Sequence, residues 1–528
     1  MTAPPRHIVV LGGGISGLSV AYHLLRSSSA VRVTLVEATQ RLGGWVHSRA
    51  VTAPDSNTAL VCETGPRTLR PAGEAGLATL QLVKALALDD ALVAIPPTAA
   101  AAKNRFLYGD GQLHLLRPWS IMRSRYVRPI VWPMMREPFR AASGPVETVV
   151  AAADGTSMTV EDESIRSFMT RRFSPYVADH LVSAVVSGIY AGDIGELSAR
   201  ACFGALWHAE RKHHSLVRGV WAGRHGDAAV AAQRRALLDP ATTSLELRRA
   251  ATSSVYTFDG GIQTLTDAMA RALEQQHAPH RYALHLNKAC QSITMDKHAV
   301  QLEDGTRLSA DQVVSTVPAR HMNRLLGPGA STWFGQVGMA AANVAVVNLV
   351  YAGRLPIPDG FGYLIPITEA NTAALGVVFD SQAVSPELAA TADASRYTRL
   401  TVMLGGRYRW GQQQLDRWTD DDFLQHALET VRRHLHIEDR PIYELVSVHR
   451  QCIPQYQVGH IARVRALHED LSRQYHGRLA VTGASYLGVS INDCIWRAEQ
   501  LAHRMAAPSA SDNGAAITTT GLEAAASL

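Results

Sequence analysis

The chain has 528 residues, 47% hydrophobic and 18% charged, the balance of a globular fold with a core large enough for two or three domains. Its net charge of +5 is small for that length, and only Lys84, Lys103, Lys212, Lys288 and Lys297 among the 51 basic residues are lysine. The arginine surplus therefore reads as a composition bias and excludes a nucleic-acid role argued from charge. Five isolated cysteines without a CxxC pair exclude a disulfide framework, and 22 scattered histidines without HExxH spacing leave no metal site to predict.

In chain order, Ile8-Val9-Val10-Leu11 is a continuous apolar run suited to a parallel strand buried on both faces. It starts so early that no cleavable leader is expected before it. Leu18, Ala21, Tyr22 and Leu25 recur at helical spacing, and Val31, Val33, Leu35 and Val36 make a second strand, completing a βαβ unit. The alanine-rich stretch Ala91 to Ala102, with its Pro-Pro step, predicts a surface crossing between domains. Helical patterns fill 160–215, and 222–252 reads as an inserted or loosely ordered stretch. A helix is predicted over Ile262 to Leu273, a hairpin across Glu303-Asp304-Gly305, and a strand at Gln312 to Val317. Residues Val344 to Tyr351 and Leu400 to Leu404 read as β. The longest apolar stretch, Met339 to Gly353, holds two asparagines and falls short of the roughly 18 residues a membrane helix needs. Small polar residues beyond Ala507 predict a disordered tail.

Gly12, Gly14 and Gly17 satisfy GxGxxG between a strand and a helix, and Glu37 lies 20 positions on, where a ribose-binding acid belongs. Glycines there permit a tight turn and close backbone approach to a pyrophosphate, which the helix N-terminus would attract. Arg41-Leu42-Gly43-Gly44 and Glu63-Thr64-Gly65-Pro66-Arg67 favour FAD over a nicotinamide. With the glycine turn and Glu37, these motifs resemble the flavin-dependent amine oxidase and phytoene desaturase superfamily. The late run Leu479 to Tyr486, followed by Gly488-Val489-Ser490-Ile491-Asn492-Asp493, fits the same pattern.

Longer strings resemble the oxygen-dependent protoporphyrinogen oxidase family of eukaryotes: RLGGW (41–45), ETGPRTLRP (63–71), NRFLY (104–108), AVVNL (345–349), TVMLGG (401–406), CIPQY (452–456) and 483–494. The resemblance runs from about Arg6 to Ala506. It implies an α/β fold in which a Rossmann-like FAD-binding domain is assembled from 1–90, 253–320 and 473–506. A helical, membrane-associated region would occupy 91–225, a mixed β-sheet substrate domain 321–472, and the tail 507–528. It implies non-covalent FAD held by Gly12, Gly13, Gly14, Ile15, Ser16 and Gly17; by Glu37, Ala38, Arg41, Gly43, Gly44 and Trp45; by Gly65, Pro66, Arg67 and Thr68; by Ala289; and by Gly483, Ala484, Val489, Ser490 and Ile491. Thr68 stands where the family often has glycine.

The implied activity is oxidation of protoporphyrinogen IX, with molecular oxygen reoxidising the flavin and hydrogen peroxide as by-product. The alternatives are a flavin amine oxidase, a coproporphyrinogen oxidase, or a non-enzymatic flavin-binding module. Arg105 would pair with a substrate propionate, a geometry that suits a guanidinium, although a surface arginine fits the bare sequence too. Phe361, Leu364 and Met403 would sandwich pyrrole rings or fill core, and backbone at Gly188 would pass close to the substrate. No catalytic base is named; Asp493 reads as a helix cap or a flavin neighbour.

Between 117 and 140, six arginines (Arg117, Arg123, Arg125, Arg128, Arg136 and Arg140) interleave with Trp119, Met122, Tyr126, Trp132, Met134, Met135 and Phe139. Such a run suits a helical surface lying in lipid headgroups, or else a solvated face. The family resemblance implies a peripheral place on the mitochondrial inner membrane, and leaves a homodimer and product handover to ferrochelatase open.

Overall fold

A computed structural model describes residues 5–55, 58–140, 146–151, 155, 157–222, 228–295, 299–338, 340–369, 371–383, 396–406, 415–507, 519–526 and 528. The apolar N-terminal run forms strand β1 (Arg6–Leu11), which enters helix α1 (Ile15–Ser27) and returns as β2 (Val31–Val36). Three further strands join these from far along the chain: β3 (Tyr282–His285), β4 (Gln312–Ser315) and β5 (Leu479–Val481). The sheet order is β3-β2-β1-β4-β5, parallel throughout. Strands buried on both faces need no polar alternation, which is why Ile8, Val9 and Val10 are all fully buried. Helix α1 packs on the long C-terminal helix α2 (Ile491–Ala506), with Leu18, Leu25, Ile495 and Leu501 in one core.

A second, seven-stranded mixed sheet carries the strands Tyr443–Pro454, Ala341–Ala352, Tyr397–Gly405, Ala374–Val378, Gly362–Leu364, Phe106–Gly109 and Gln112–Leu115, in that spatial order. The amphipathic helix Asp420–Leu435 covers one side, burying Phe423, Ala427 and Val431 against Val347 and Val402. Its start is fixed by a capping box between Thr419 and Asp422. A helical layer over 165–222 packs against Leu107 of the Phe106–Gly109 strand, next to the sheet edge.

Three expectations are corrected. The 91–102 stretch is not simply a surface crossing: Leu92–Ile95 is a buried strand, antiparallel to Val255–Phe258. Alternation was hidden there because both faces of the pair are covered. The 222–252 stretch holds two helices, Ala228–Leu238 and Leu245–Thr252, the second capped by Ser244 Oγ. Leu237, Leu247, Ala250 and Ala251 bury into the α1 core, small residues permitting close approach. Finally, the tail is not wholly disordered. Residues 508–518 and 527 lie outside the described residues, but Leu522 and Ala525 are buried against Val464, Leu467 and Leu471, and the Val481 N–H donates to the Thr520 carbonyl. A few small side chains suffice because a groove is already built for them.

Candidate active site

The C-terminal ends of β1, β2, β4 and β5 converge on the glycine turn. Gly12 has φ +98°, and a Cβ on Gly17 would lie 1.8 Å from the Gly12 carbonyl oxygen. Both positions therefore require glycine. Gly14 bridges Gly43, the Gly43 N–H donates to the Gly13 carbonyl at 2.8 Å, and a Cβ on Gly44 would come within 3.1 Å of Gly14 Cα. The two glycine segments thus form one backbone cradle that side chains cannot fill. Ile15 and Ser16 open α1 with neither a side-chain cap nor an acid in the first turn, so its N–H groups stay available to an anion.

Glu37 closes the cradle. Its Oε2 accepts from the Gly13 N–H at 2.7 Å and its Oε1 from the Thr39 N–H at 2.9 Å. Ala38 beside it is exposed, and the neighbouring Ala289 is half-buried next to Lys288, whose N–H donates to the Glu37 carbonyl. Arg41 braces the following loop by donating to the Leu42 and Val46 carbonyls at 2.9 and 3.0 Å. Trp45 is exposed and meets His449 edge-on at 5.1 Å, while His449 Nε2 bonds the Thr64 carbonyl. A Cβ on Gly65 would strike the Trp45 carbonyl at 2.3 Å, so these two loops need glycine to touch.

Pro66 is exposed, Thr68 half-buried and Arg67 buried. Arg67 Nη1 pairs with Asp380 at 2.6 Å, while its Nε and Nη2 are buried without a partner among the described residues. A guanidinium left so demands an acceptor. Asp380 also accepts from Thr401 Oγ1 at 2.6 Å, Thr401 lies 2.9 Å from Asn348, and Asn348 donates to the Glu63 carbonyl. A continuous polar chain thus joins ETGP to the seven-stranded sheet.

At the other side, Gly483 (φ +113°) sits 3.4 Å from Ser16 Oγ, measured from its would-be Cβ. Tyr456 pins the loop that follows, donating to the Ala484 carbonyl and accepting from the Gly488 N–H at 2.9 Å. Val489 leads into Ser490 and Ile491, the start of α2. Asp493 completes a capping box with Ser490, the helix-capping alternative. Asn492 donates to the Arg70 carbonyl at 2.8 Å, drawing 65–70 to the same helix end.

The candidate substrate residues fall into two groups. Arg105, half-buried, lies 4.9 Å from the centre of the Phe361 ring and donates to the Ala101 carbonyl. Burial, then the neighbouring Arg70 charge, pushes the Arg105 guanidinium below its ordinary value, as expected of a cation short of an anion. Leu364 and Met403 flank Gly376 in one row of the sheet, Leu364 pairing Gly376 and Gly376 pairing Met403. Gly188 closes on this row, since a Cβ there would lie 2.7 Å from Leu364 Cδ2.

Sequence reasoning missed Asp380, Gly376, Thr316 and His449. Thr316 Oγ1 donates to the Leu11 carbonyl at 2.8 Å and abuts Gly12 and Gly17. Its place just past an apolar strand is the one local signal available, because ligands gather at parallel strand ends. Asp380 stands 313 residues from Arg67 and carries no local signal.

A model of the flavin containing amine oxidoreductase family matches residues 15–506. The protoporphyrinogen oxidase of Schizosaccharomyces pombe is 34% identical, over 94% of this chain and 98% of its own length. That of Homo sapiens is 35% identical over the same shares. The chain belongs to the protoporphyrinogen oxidase family, within the flavin containing amine oxidoreductases. A crystal structure from Exiguobacterium sp. 255-15 shares the fold at TM-score 0.71 and 19% identity, covering 96% of this chain and 99% of that one. As a family member, the chain is an FAD-dependent oxidoreductase. The glycine cradle, the uncapped start of α1 and the two orphaned Arg67 nitrogens fit FAD.

Burial raises the Glu63 carboxyl to about 7, although the Ile262 N–H and the Ser48 and Arg67 side chains oppose the rise. A raised acid keeps its proton in the folded state, so the contribution of Glu63 to stability is full below pH 4.5 and is lost as pH climbs through about 7. Melting curves across that window should fall more steeply for wild type than for Glu63→Gln. Parallel slopes would show that Glu63 ionises as freely folded as unfolded.

Proposed function

We infer that the chain oxidises protoporphyrinogen IX to protoporphyrin IX in haem biosynthesis, holding FAD non-covalently and passing electrons to molecular oxygen. The family match over nearly the full length, joined to a backbone cradle only glycine can form, carries this reading. Bound FAD would supply a two-electron acceptor for hydrogen leaving a saturated bridge carbon of the macrocycle. The chain's own task is then orientation. Arg105 offers a charged fork to a propionate, with Phe361 beneath it, while Leu364, Gly376 and Met403 offer an apolar row on which a flat ring can lie. Arg67, held by Asp380, would bind the cofactor and tie its position to that row. Each hydride lost would leave a cationic macrocycle whose acidic proton can pass to water, so no side chain is assigned as a general base.

The test supplies purified yellow protein, in air, with protoporphyrinogen IX or coproporphyrinogen III and follows porphyrin fluorescence and peroxide. Faster turnover of the two-carboxylate substrate supports the reading. Preference for the four-carboxylate one would make the chain a coproporphyrinogen oxidase, and turnover of amines alone an amine oxidase.

We further propose that the protein docks peripherally on a membrane, the mitochondrial inner membrane, through the 117–140 region. Helices Pro118–Arg123 and Arg128–Arg136 and the helical turn Glu137–Phe139 leave Met122, Trp132, Met135 and Phe139 exposed, Phe139 by 84%, among Arg123, Arg125, Arg128, Arg136 and Arg140. Val220 and Trp221, on the helix Leu216–Ala222 that packs against Glu137–Phe139, extend the apolar area. One anchor differs from the sequence reading, Tyr126, which is buried and stacked on His114 at 4.9 Å; the Trp119 side chain lies outside the described residues. Among the described residues no helix is long and apolar enough to cross a membrane. Replacing Trp132, Phe139 and Trp221 by serine should release the protein from anionic liposomes at unchanged flavin content. Undiminished co-sedimentation with vesicles would reject that surface.

A further inference from the structure

His23 lies on the inner face of α1, where it meets α2. Glu499 and His503 stand four residues apart on α2, hence on one helix face, and turn towards it. His23 Nδ1 is 3.9 Å from Glu499 Oε1, and the rings of His23 and His503 meet edge-on at 6.3 Å. One ligand atom from each of the three residues falls within 4.8 Å of the other two. His23 is 7% exposed, and its Nε2 is buried with no hydrogen-bond partner among the described residues.

A buried imidazole nitrogen without a partner destabilises the fold unless something else occupies it. Two imidazoles and one carboxylate form a donor set suited to zinc and its first-row neighbours, rather than to calcium or magnesium. Around zinc, with bonds of about 2.0–2.1 Å, donors sit roughly 3.3 Å apart, so the triad needs to contract by up to about 1.5 Å. His503 can supply that movement, being exposed and in the last turn of α2. The rest of that helix end is fixed, since Arg6 bonds the Met505 carbonyl and Arg504 pairs with Glu523 at 2.5 Å.

We propose that His23, Glu499 and His503 form a site for a zinc-class divalent cation, which staples α1 to α2 at the ends remote from the cofactor cradle. Water completes the coordination. Burial, with the His503 and Arg26 charges, pushes the His23 imidazole down to about 4, so it is neutral and ligand-ready at physiological pH. Burial raises the Glu499 carboxyl, against the His503 and Arg26 charges, so cation binding competes with its proton. Arg26 itself is engaged with the Tyr22 hydroxyl at 2.9 Å. The site is independent of what the flavin oxidises.

The experiment titrates the holoprotein with zinc chloride by calorimetry and records its melting temperature with and without zinc. The same is done for Glu499→Gln, His503→Ala and His23→Asn, with flavin absorbance confirming that each is folded. Expected are one zinc equivalent and a higher melting temperature in wild type, zinc X-ray absorption showing two imidazole nitrogens, and affinity at least about tenfold weaker in each variant. No stoichiometric uptake in wild type would overturn the proposal. So would uptake that Glu499→Gln and His503→Ala leave unchanged, which would place the metal elsewhere.

Discussion

Gly17→Ala is expected to yield a colourless protein. The added Cβ would sit 1.8 Å from the Gly12 carbonyl oxygen and 3.1 Å from Thr316 Oγ1. Relief requires the turn and the start of α1 to part, yet the turn is held by the Gly12 N–H on the Val36 carbonyl and by Thr316 on the Leu11 carbonyl. Overpacking of this kind costs about 3 kcal/mol, which as lost binding energy is roughly a hundredfold in FAD affinity. Gly204→Ala is the matched control, because a Cβ there meets nothing within 4 Å and Gly204 opens a helix. Flavin content after gel filtration reads the result. Full flavin occupancy in Gly17→Ala would remove the cradle from the account.

The second large effect is expected far from the flavin. Glu137 is fully buried and pairs with Arg172, itself 1% exposed. It also accepts from Ser215 Oγ at 2.6 Å and from the Leu216 and Val217 N–H groups at 2.8 and 3.1 Å. Burial alone would raise this carboxyl, but hydrogen bonds from Ser215, Arg172, Leu216 and Val217 outweigh it and hold it below the ordinary carboxylate value. Glu137 therefore stabilises the fold above the unfolded carboxylate range and loses that effect as pH falls through its lowered value. Removing it takes from Arg172 its nearest carboxylate, Glu210 being at 3.4 Å, and takes from the Leu216 and Val217 N–H groups, at the start of the helix bearing Trp221, their acceptor. Breaking such a pair costs about 3–5 kcal/mol. Glu137→Ala should lower the unfolding midpoint accordingly and loosen Phe139 and Trp221 together. Glu137→Gln, which keeps an acceptor, should lose less. A midpoint unmoved in Glu137→Ala would mean that this hub is not structural.

The glycine motifs were readable because their spacing answers a steric demand: Gly17 and Gly65 abut backbone that admits no side chain, and Gly12 has a φ of +98°. Strands β1, β2 and β4 announced themselves by apolar runs. Residues whose role depends on a distant partner were not readable. Asp380 matters through Arg67, and Gly376 through the gap it leaves between Leu364 and Met403. Leu522 and Ala525 looked like tail because the groove that buries them is made by residues 464–471. In the 117–140 run the arginine and aromatic pattern was visible, yet only packing distinguishes buried Tyr126 from exposed Phe139. The family strings supplied Arg105, and the Phe361 ring 4.9 Å away gives that residue a physical setting.

Anaerobic mixing of the yellow holoprotein with protoporphyrinogen IX addresses the central claim most directly. The visible flavin absorbance should bleach as porphyrin fluorescence rises, and should return on admitting oxygen. A flavin band that stays unbleached while the tetrapyrrole is present in excess would contradict the account, whatever slow oxidation is seen in air.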